Sequence, residues 1–168
     1  RFVDYVSDIT TLIDNLGLEK PILVGHSAGG RYAFSYTSLN PQNVSALVVV
    51  DIDPDSVNQS SSGMFDRYMN ESDEWPSLDK VVERIRSRQR ASSETMLNHQ
   101  AEVMTKPVGN EGIRVWRRDR RVIEDYERPD LWKEWASIAV PTVIIRGRQS
   151  DLLTHQTAVQ MREKLSGS

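Results

Sequence analysis

A chain of 168 residues with 38% hydrophobic and 27% charged side chains has the makeup of a soluble globular protein and excludes extended disorder. Its net charge of -3 argues against a broad cationic surface for nucleic acid or an anionic membrane, and favours a small ligand. The absence of cysteine excludes a disulfide framework and thiolate chemistry and accords with a cytoplasmic setting, while the longest apolar run, Ala46 to Val50, is too short to span a bilayer.

Phe2, Val6, Ile9, Ile13 and Leu16 recur at spacings of three and four, which predicts an amphipathic helix from Arg1 to Leu16 ended by Gly17 in a left-handed cap. Pro21 opens a short strand, Ile22-Leu23-Val24. From Ala28 a second helix carries Tyr32, Ala33, Phe34 and Tyr36 until Asn40-Pro41 stops it. Ala46 to Ile52 is a β-branched run with the look of a strand buried on both faces of a parallel sheet, so strand, helix and strand form a right-handed crossover unit.

Composition shifts at Pro54. Asn58 to Gly63 is a polar, Ser-rich stretch, and helical patterns then return without strands between them. Ser77 is placed to cap a helix with Leu78, Val81, Val82 and Ile85 on one face, and Ser92 or Ser93 to cap another holding Leu97, Ala101 and Met104. Gly109 to Gly112 reads as a turn, Ile113 to Arg117 as a short strand, and Asp130 as the cap of a brief helix carrying Trp132 and Trp135. The parallel-strand signature resumes at Pro141 to Ile145, a loop follows to Asp151, and Thr154 caps a last helix with Ala158, Met161 and Leu165 inward. The expected organisation is an α/β core over residues 1–56, a mostly helical cap insertion over 57–135, and a return to the core over 136–168.

The chemistry-bearing segment is Gly25-His26-Ser27-Ala28-Gly29-Gly30, directly after the apolar strand and directly before a helix. A strand-to-helix turn flanked by glycines leaves the Ser27 hydroxyl exposed for attack and points the backbone N–H of Ala28 toward the place where an oxyanion would form. A serine hydroxyl alone is a poor nucleophile; it needs a base, and the base needs an orienting group.

On this elbow, the strand end Val48 to Pro54, the insertion, and the Pro141 to Asp151 strand and loop, the chain resembles the α/β-hydrolase family. It is most similar to the cap-bearing serine members, which include esterases, lactonases and carbon–carbon bond hydrolases. The resemblance implies a parallel sheet with flanking helices, and, with no metal-ligand spacing and no dinucleotide fingerprint in the sequence, no cofactor and no metal are expected. It further implies Ser27 as nucleophile, Ala28 N–H as oxyanion donor, and Asp151 as the acid of a Ser, Asp, His chain order. Asp51 ends the preceding strand and is the alternative acid.

A family histidine would fall roughly 25 residues past the acid, after one more helix and strand, and the sequence stops at Ser168. His26 beside the serine suits packing or hydrogen bonding, His99 sits in a cap helix, and His155 follows Asp151 too closely to serve as base. The expectation is therefore a fragment, lacking the early strands and the histidine-bearing segment, inactive by itself, with missing segments or a partner chain covering the sheet edges. The arginine runs at 84–90 and 117–121 are interleaved with acids and read as a solvated cap surface. Trp75, Trp116, Trp132 and Trp135 read as packing, with one available to line an acyl pocket. Two functions stay open: a serine hydrolase of a carboxylic ester, lactone or similar acyl substrate, and a non-catalytic small-ligand receptor on the same scaffold.

Overall fold

The computed structural model describes residues 1–165 and divides into two compact units, one of residues 1–64 with 125–165 and one of residues 65–124. In the first unit the elements run α1 (Phe2–Leu16), β1 (Ile22–His26), α2 (Ala28–Leu39) and β2 (Ala46–Val50). After the excursion into the second unit come α7 (Trp132–Ala136), β6 (Thr142–Ile145) and α8 (His155–Lys164). The strands form one parallel sheet in the order β1-β2-β6, with Leu23 beside Leu47 and Val49 beside Ile144.

Local chemistry accounts for these boundaries. Gly17 caps α1 at φ 60°, the left-handed conformation that costs glycine little, and its N–H satisfies carbonyls of the last turn. Thr154 Oγ1 accepts from Thr157 N–H at 3.0 Å, so α8 starts at a side-chain cap. Asp130 Oδ1 accepts from Trp132 N–H at 3.1 Å ahead of α7, although the cap position itself belongs to Leu131.

The core lies on one face of the sheet, where Leu47 and Val49 pack with Phe2, Phe34, Trp135, Leu153 and Met161. The opposite face differs from the expectation of a strand buried on both sides. Burial along β2 alternates, and Ile22 and Val24 on that other face are 62% and 70% exposed. The physical reason is that the residues packing on the sheet all gather on the Leu23, Leu47 and Ile144 side.

A buried polar hub pins the two stretches through which the chain leaves and re-enters this unit. The guanidinium of Arg31, on α2 and fully buried, donates to the carbonyls of Asp53 at 2.6 Å, of Asp55 at 3.0 Å and of Pro129. The Asp53 carboxylate accepts from Arg128 at 2.6 Å, from Asp55 N–H at 2.8 Å and from Asn58 Nδ2 at 2.8 Å. Trp132 Nε1 donates to Asp55 Oδ1 at 2.6 Å. Burial pushes the Arg31 guanidinium down to about 10, with Arg128 adding repulsion, yet it stays charged at neutral pH.

The second unit corrects one expectation. Its helices α4 (Leu78–Arg88) and α5 (Glu94–Met104) are capped by Ser77 and Ser93, and bury Val81, Val82, Ile85, Leu97 and Ala101. They are joined, however, by an antiparallel sheet of β3 (Glu74–Trp75), β4 (Thr105–Val108) and β5 (Ile113–Trp116) in the order β3-β5-β4. In the first unit the Ser-rich stretch is helical, within the start of α3 (Gln59–Met69), where the Asn58 side chain accepts from Ser61 N–H at 3.0 Å and starts the first turn. Between β5 and α7 lies the single turn α6 (Arg121–Glu124).

The arginines of the second unit are not simply solvated. Arg84 pairs with Glu71, Arg120 with Asp73, and Arg118 reaches both carboxylates, at 3.6 and 3.2 Å. Arg88 and Arg118 also lie over the Tyr68 ring, at 5.2 and 5.0 Å from its centroid. Hydrogen bonds from Arg120 and then Arg118 hold the Asp73 carboxyl below the ordinary aspartate range.

Two outcomes follow from these contacts. In the full polypeptide, Arg31→Met leaves the buried Asp53 carbonyl and the part-buried Asp55 and Pro129 carbonyls without their donor and is expected to cost on the order of 3–5 kcal/mol in urea unfolding; a loss below about 1 kcal/mol would contradict the hub. Because the folded Asp73 carboxyl is depressed, its stabilisation is present above its unfolded pKa and is lost as pH falls through its folded value. Asp73→Asn should therefore flatten the acid limb of the stability profile, and an unchanged acid limb would rule that contribution out.

Candidate active site

Ser27, Asp51 and the segment Gly147 to Asp151 follow β1, β2 and β6 respectively. Since these strands are parallel neighbours, all three positions collect at the carboxyl end of the sheet, the edge where open α/β sheets bind ligands. β2 lies between the other two, so Asp51 stands one strand spacing from each.

Ser27 has φ 53° and ψ -130°, a conformation that L side chains rarely adopt. Its backbone is fastened on both sides, with Ser27 N–H donating to Val50 O at 3.0 Å and Ser27 O accepting from Gly30 N–H at 2.8 Å. The turn thus hangs from the neighbouring strand while it starts α2. Ala28 is the first residue of α2, and the N–H groups of a first helical turn have no partner inside the helix.

The glycines divide by role. A Cβ on Gly25 would fall 2.5 Å from Gly29 O and 2.6 Å from Gly30 Cα, a backbone clash with no side chain to move. A Cβ on Gly30 would lie 2.7 Å from Ile52 Cγ2, so α2 packs on the sheet through this residue. Gly29 has no atom within 4 Å of such a position, so Gly25 and Gly30 carry the steric demand of the turn.

Asp51 is held as firmly as Ser27. It has φ 56°, its N–H donates to Ile145 O at 2.8 Å, and its carboxylate accepts from Ser150 Oγ at 2.7 Å and from Gly147 N–H at 3.3 Å. Asp51 and residues 147–150 line an open depression of about 490 Å³, of which Ser27 is not part. Asp151, the next residue in the loop, is exposed, and His26, His99 and His155 are exposed as well. Among the described residues no three His, Asp or Glu side chains gather as metal ligands, and no helix is long and apolar enough to cross a membrane.

A family model described as the alpha/beta hydrolase fold matches residues 1–168. The chain belongs to the alpha/beta hydrolase fold family. It is 27% identical over 177 residues to a 3-hydroxybutyrate-oligomer hydrolase of Cupriavidus necator, a match covering 94% of this chain and 58% of that one. It is 26% identical over 153 residues to a 2-(acetamidomethylene)succinate hydrolase of Mesorhizobium japonicum, covering 90% and 55%. Among solved structures, an alpha/beta hydrolase from Novosphingobium aromaticivorans superposes with a TM-score of 0.82 at 20% identity, covering 98% and 61%. The chain therefore spans little more than half the length of these relatives.

The strained serine gives a measurable consequence. Ser27→Gly relieves an unfavourable backbone conformation and is expected to raise stability by about 1–2 kcal/mol, whereas Gly25→Ala should lower it by about 1–3 kcal/mol through overpacking. Thermal unfolding of the full polypeptide checks both, and a destabilising Ser27→Gly would refute the strain.

Proposed function

We propose that the polypeptide carrying this chain is a serine hydrolase of a carboxylic ester, lactone or similar acyl substrate. The observation that carries this reading is the backbone of Ser27, φ 53° and ψ -130°, between a parallel strand and a helix N-terminus. Strain of this kind persists only where the surroundings hold it in place, and here it presents a hydroxyl beside helix N–H groups.

In the proposed reaction Ser27 Oγ attacks the acyl carbon and passes its proton to a histidine base. The carbonyl oxygen, now an anion, is stabilised by the N–H of Ala28 at the positive end of α2. Collapse of the tetrahedral species expels the alcohol, which takes the proton from the histidine, and leaves Ser27 acylated. Water then attacks the acyl-enzyme, the histidine relays its proton, and a carboxylic acid and free Ser27 result.

Asp151 is assigned as the group that orients the base. Asp51 has both carboxylate oxygens engaged by Ser150 and Gly147, whereas Asp151 is exposed at the same sheet end. β1 and β6 stand two strand spacings apart, roughly 10 Å, which leaves room for an imidazole hydrogen-bonded at both nitrogens. The base, and the cover for the exposed Ile22 and Val24 face, are assigned to polypeptide beyond this chain.

The test is covalent. A fluorophosphonate should label Ser27 in the full-length protein, Ser27→Ala should abolish both labelling and ester turnover, and Asp151→Asn should lower kcat on the order of ten-thousand-fold. Absence of labelling together with unchanged turnover in Ser27→Ala would leave a ligand-binding scaffold as the better reading.

A further inference from the structure

Asp51 was a rival for the acid on sequence grounds, and its geometry suggests a different employment. Its carboxylate faces the loop that bears Asp151: Oδ2 receives the Ser150 hydroxyl proton at 2.7 Å and Oδ1 receives Gly147 N–H at 3.3 Å. By donating to Asp51, Ser150 Oγ is left with its lone pairs turned inward, where they accept Leu152 N–H at 3.1 Å and Leu153 N–H at 3.3 Å. One hydroxyl thus fastens the residue before Asp151 and the two after it.

Two further ties complete the frame. Arg146 Nε donates to Leu153 O at 2.7 Å, and its terminal nitrogens reach Arg148 O at 3.2 Å and Ser150 O at 3.3 Å, so the guanidinium closes the loop from inside. Asn58 Nδ2 donates to Leu152 O at 2.8 Å and to the buried Asp53 carboxylate at 2.8 Å. The backbone on either side of Asp151 is therefore anchored to the end of β2, at Asp51 through Ser150 and at Asp53 through Asn58. The Asp151 side chain stays exposed while its backbone is fixed.

We infer that Asp51 is a positioning residue, which through the Ser150 hydroxyl sets the loop that aims the Asp151 carboxylate. The inference rests on the reading of Ser27 and Asp151 given above. A carboxylate that orients an imidazole must be held to within about half an ångström, and a residue whose own oxygens are spent on the supporting loop suits that task.

The experiment uses the full-length protein and four variants. Asp51→Gly removes the carboxylate and keeps the positive φ without strain, Ser150→Ala removes the relay, Asp51→Gly/Ser150→Ala removes both, and Ser150→Thr keeps the hydroxyl. Asp51→Gly and Ser150→Ala are each expected to lower kcat about 10- to 100-fold, with KM within about twofold. The double variant should be no slower than the slower single, and Ser150→Thr should recover most of the rate. Fluorophosphonate labelling of Ser27 should persist in all four. Independently of turnover, amide exchange at Leu152 and Leu153 should accelerate in Asp51→Gly and in Ser150→Ala, which checks the loop frame even if Ser27 proves to be no nucleophile. The inference is overturned if the two losses multiply, or if exchange at these amides is unchanged. It is equally overturned if Asp51→Gly is as damaging as Ser27→Ala while Ser150→Ala is silent and Asp151→Asn stays active, which would make Asp51 the acid itself.

Discussion

The buried guanidinium of Arg31 is the contact on which the arrangement of the first unit depends. Three carbonyls from two remote stretches, residues 53–55 and Pro129, converge on it, and the arginine itself is fully buried. A planar fork with several fixed donors can satisfy carbonyls lying in different directions, which an ammonium on a flexible stem does less well. Because Arg31 lies one helical turn beyond Ser27, the element that begins at the candidate nucleophile is the one that clamps both crossings of the chain. Rigidity at the hub is thereby shared with the turn.

That sharing explains how a strained serine persists. A conformation costing on the order of 1–3 kcal/mol must be held by several constraints at once. Here they are the Val50 carbonyl, the Gly30 N–H, the backbone packing at Gly25, and an α2 fixed at its next turn by Arg31. None of these touches the hydroxyl, so the atom that would react stays unencumbered while its backbone is over-determined.

Much of this was legible in the sequence because the decisive signals were local. The α1 stripe, Gly17, the Ser77 and Thr154 caps and the β2 run act over a few residues, and the elements formed close to where the periodicity placed them. The misreadings of β4 and of the arginine runs share a cause, which is dependence on partners far along the chain. Thr105-Lys-Pro-Val has no strand period of its own and becomes β4 only through pairing with β5. The arginine runs looked solvated because Glu71 and Asp73, which draw Arg118 and Arg120 in, lie some 45 residues earlier. The concentration of steric demand on Gly25 and Gly30 is set by Ile52 and by the backbone of the turn itself, neither visible in the spacing.

The strand end Asp51-Ile52-Asp53 shows how one short segment serves two surroundings. Ile52 is buried in the apolar core and meets α2 at Gly30, while the acids on either side of it face polar frames. Asp51 holds the loop after β6 directly, and Asp53 reaches the same loop through Asn58 while also receiving Arg128. Both carboxylates are matched by donors, which is the condition for placing charge at the rim of a core without a large desolvation cost. A purely apolar strand end would pack as well and would leave the loop amides to water. By spending two carboxylates on that loop, the fold sets Asp151 in a fixed frame at the sheet edge shared with Ser27, and the candidate site becomes rigid on both sides of β2.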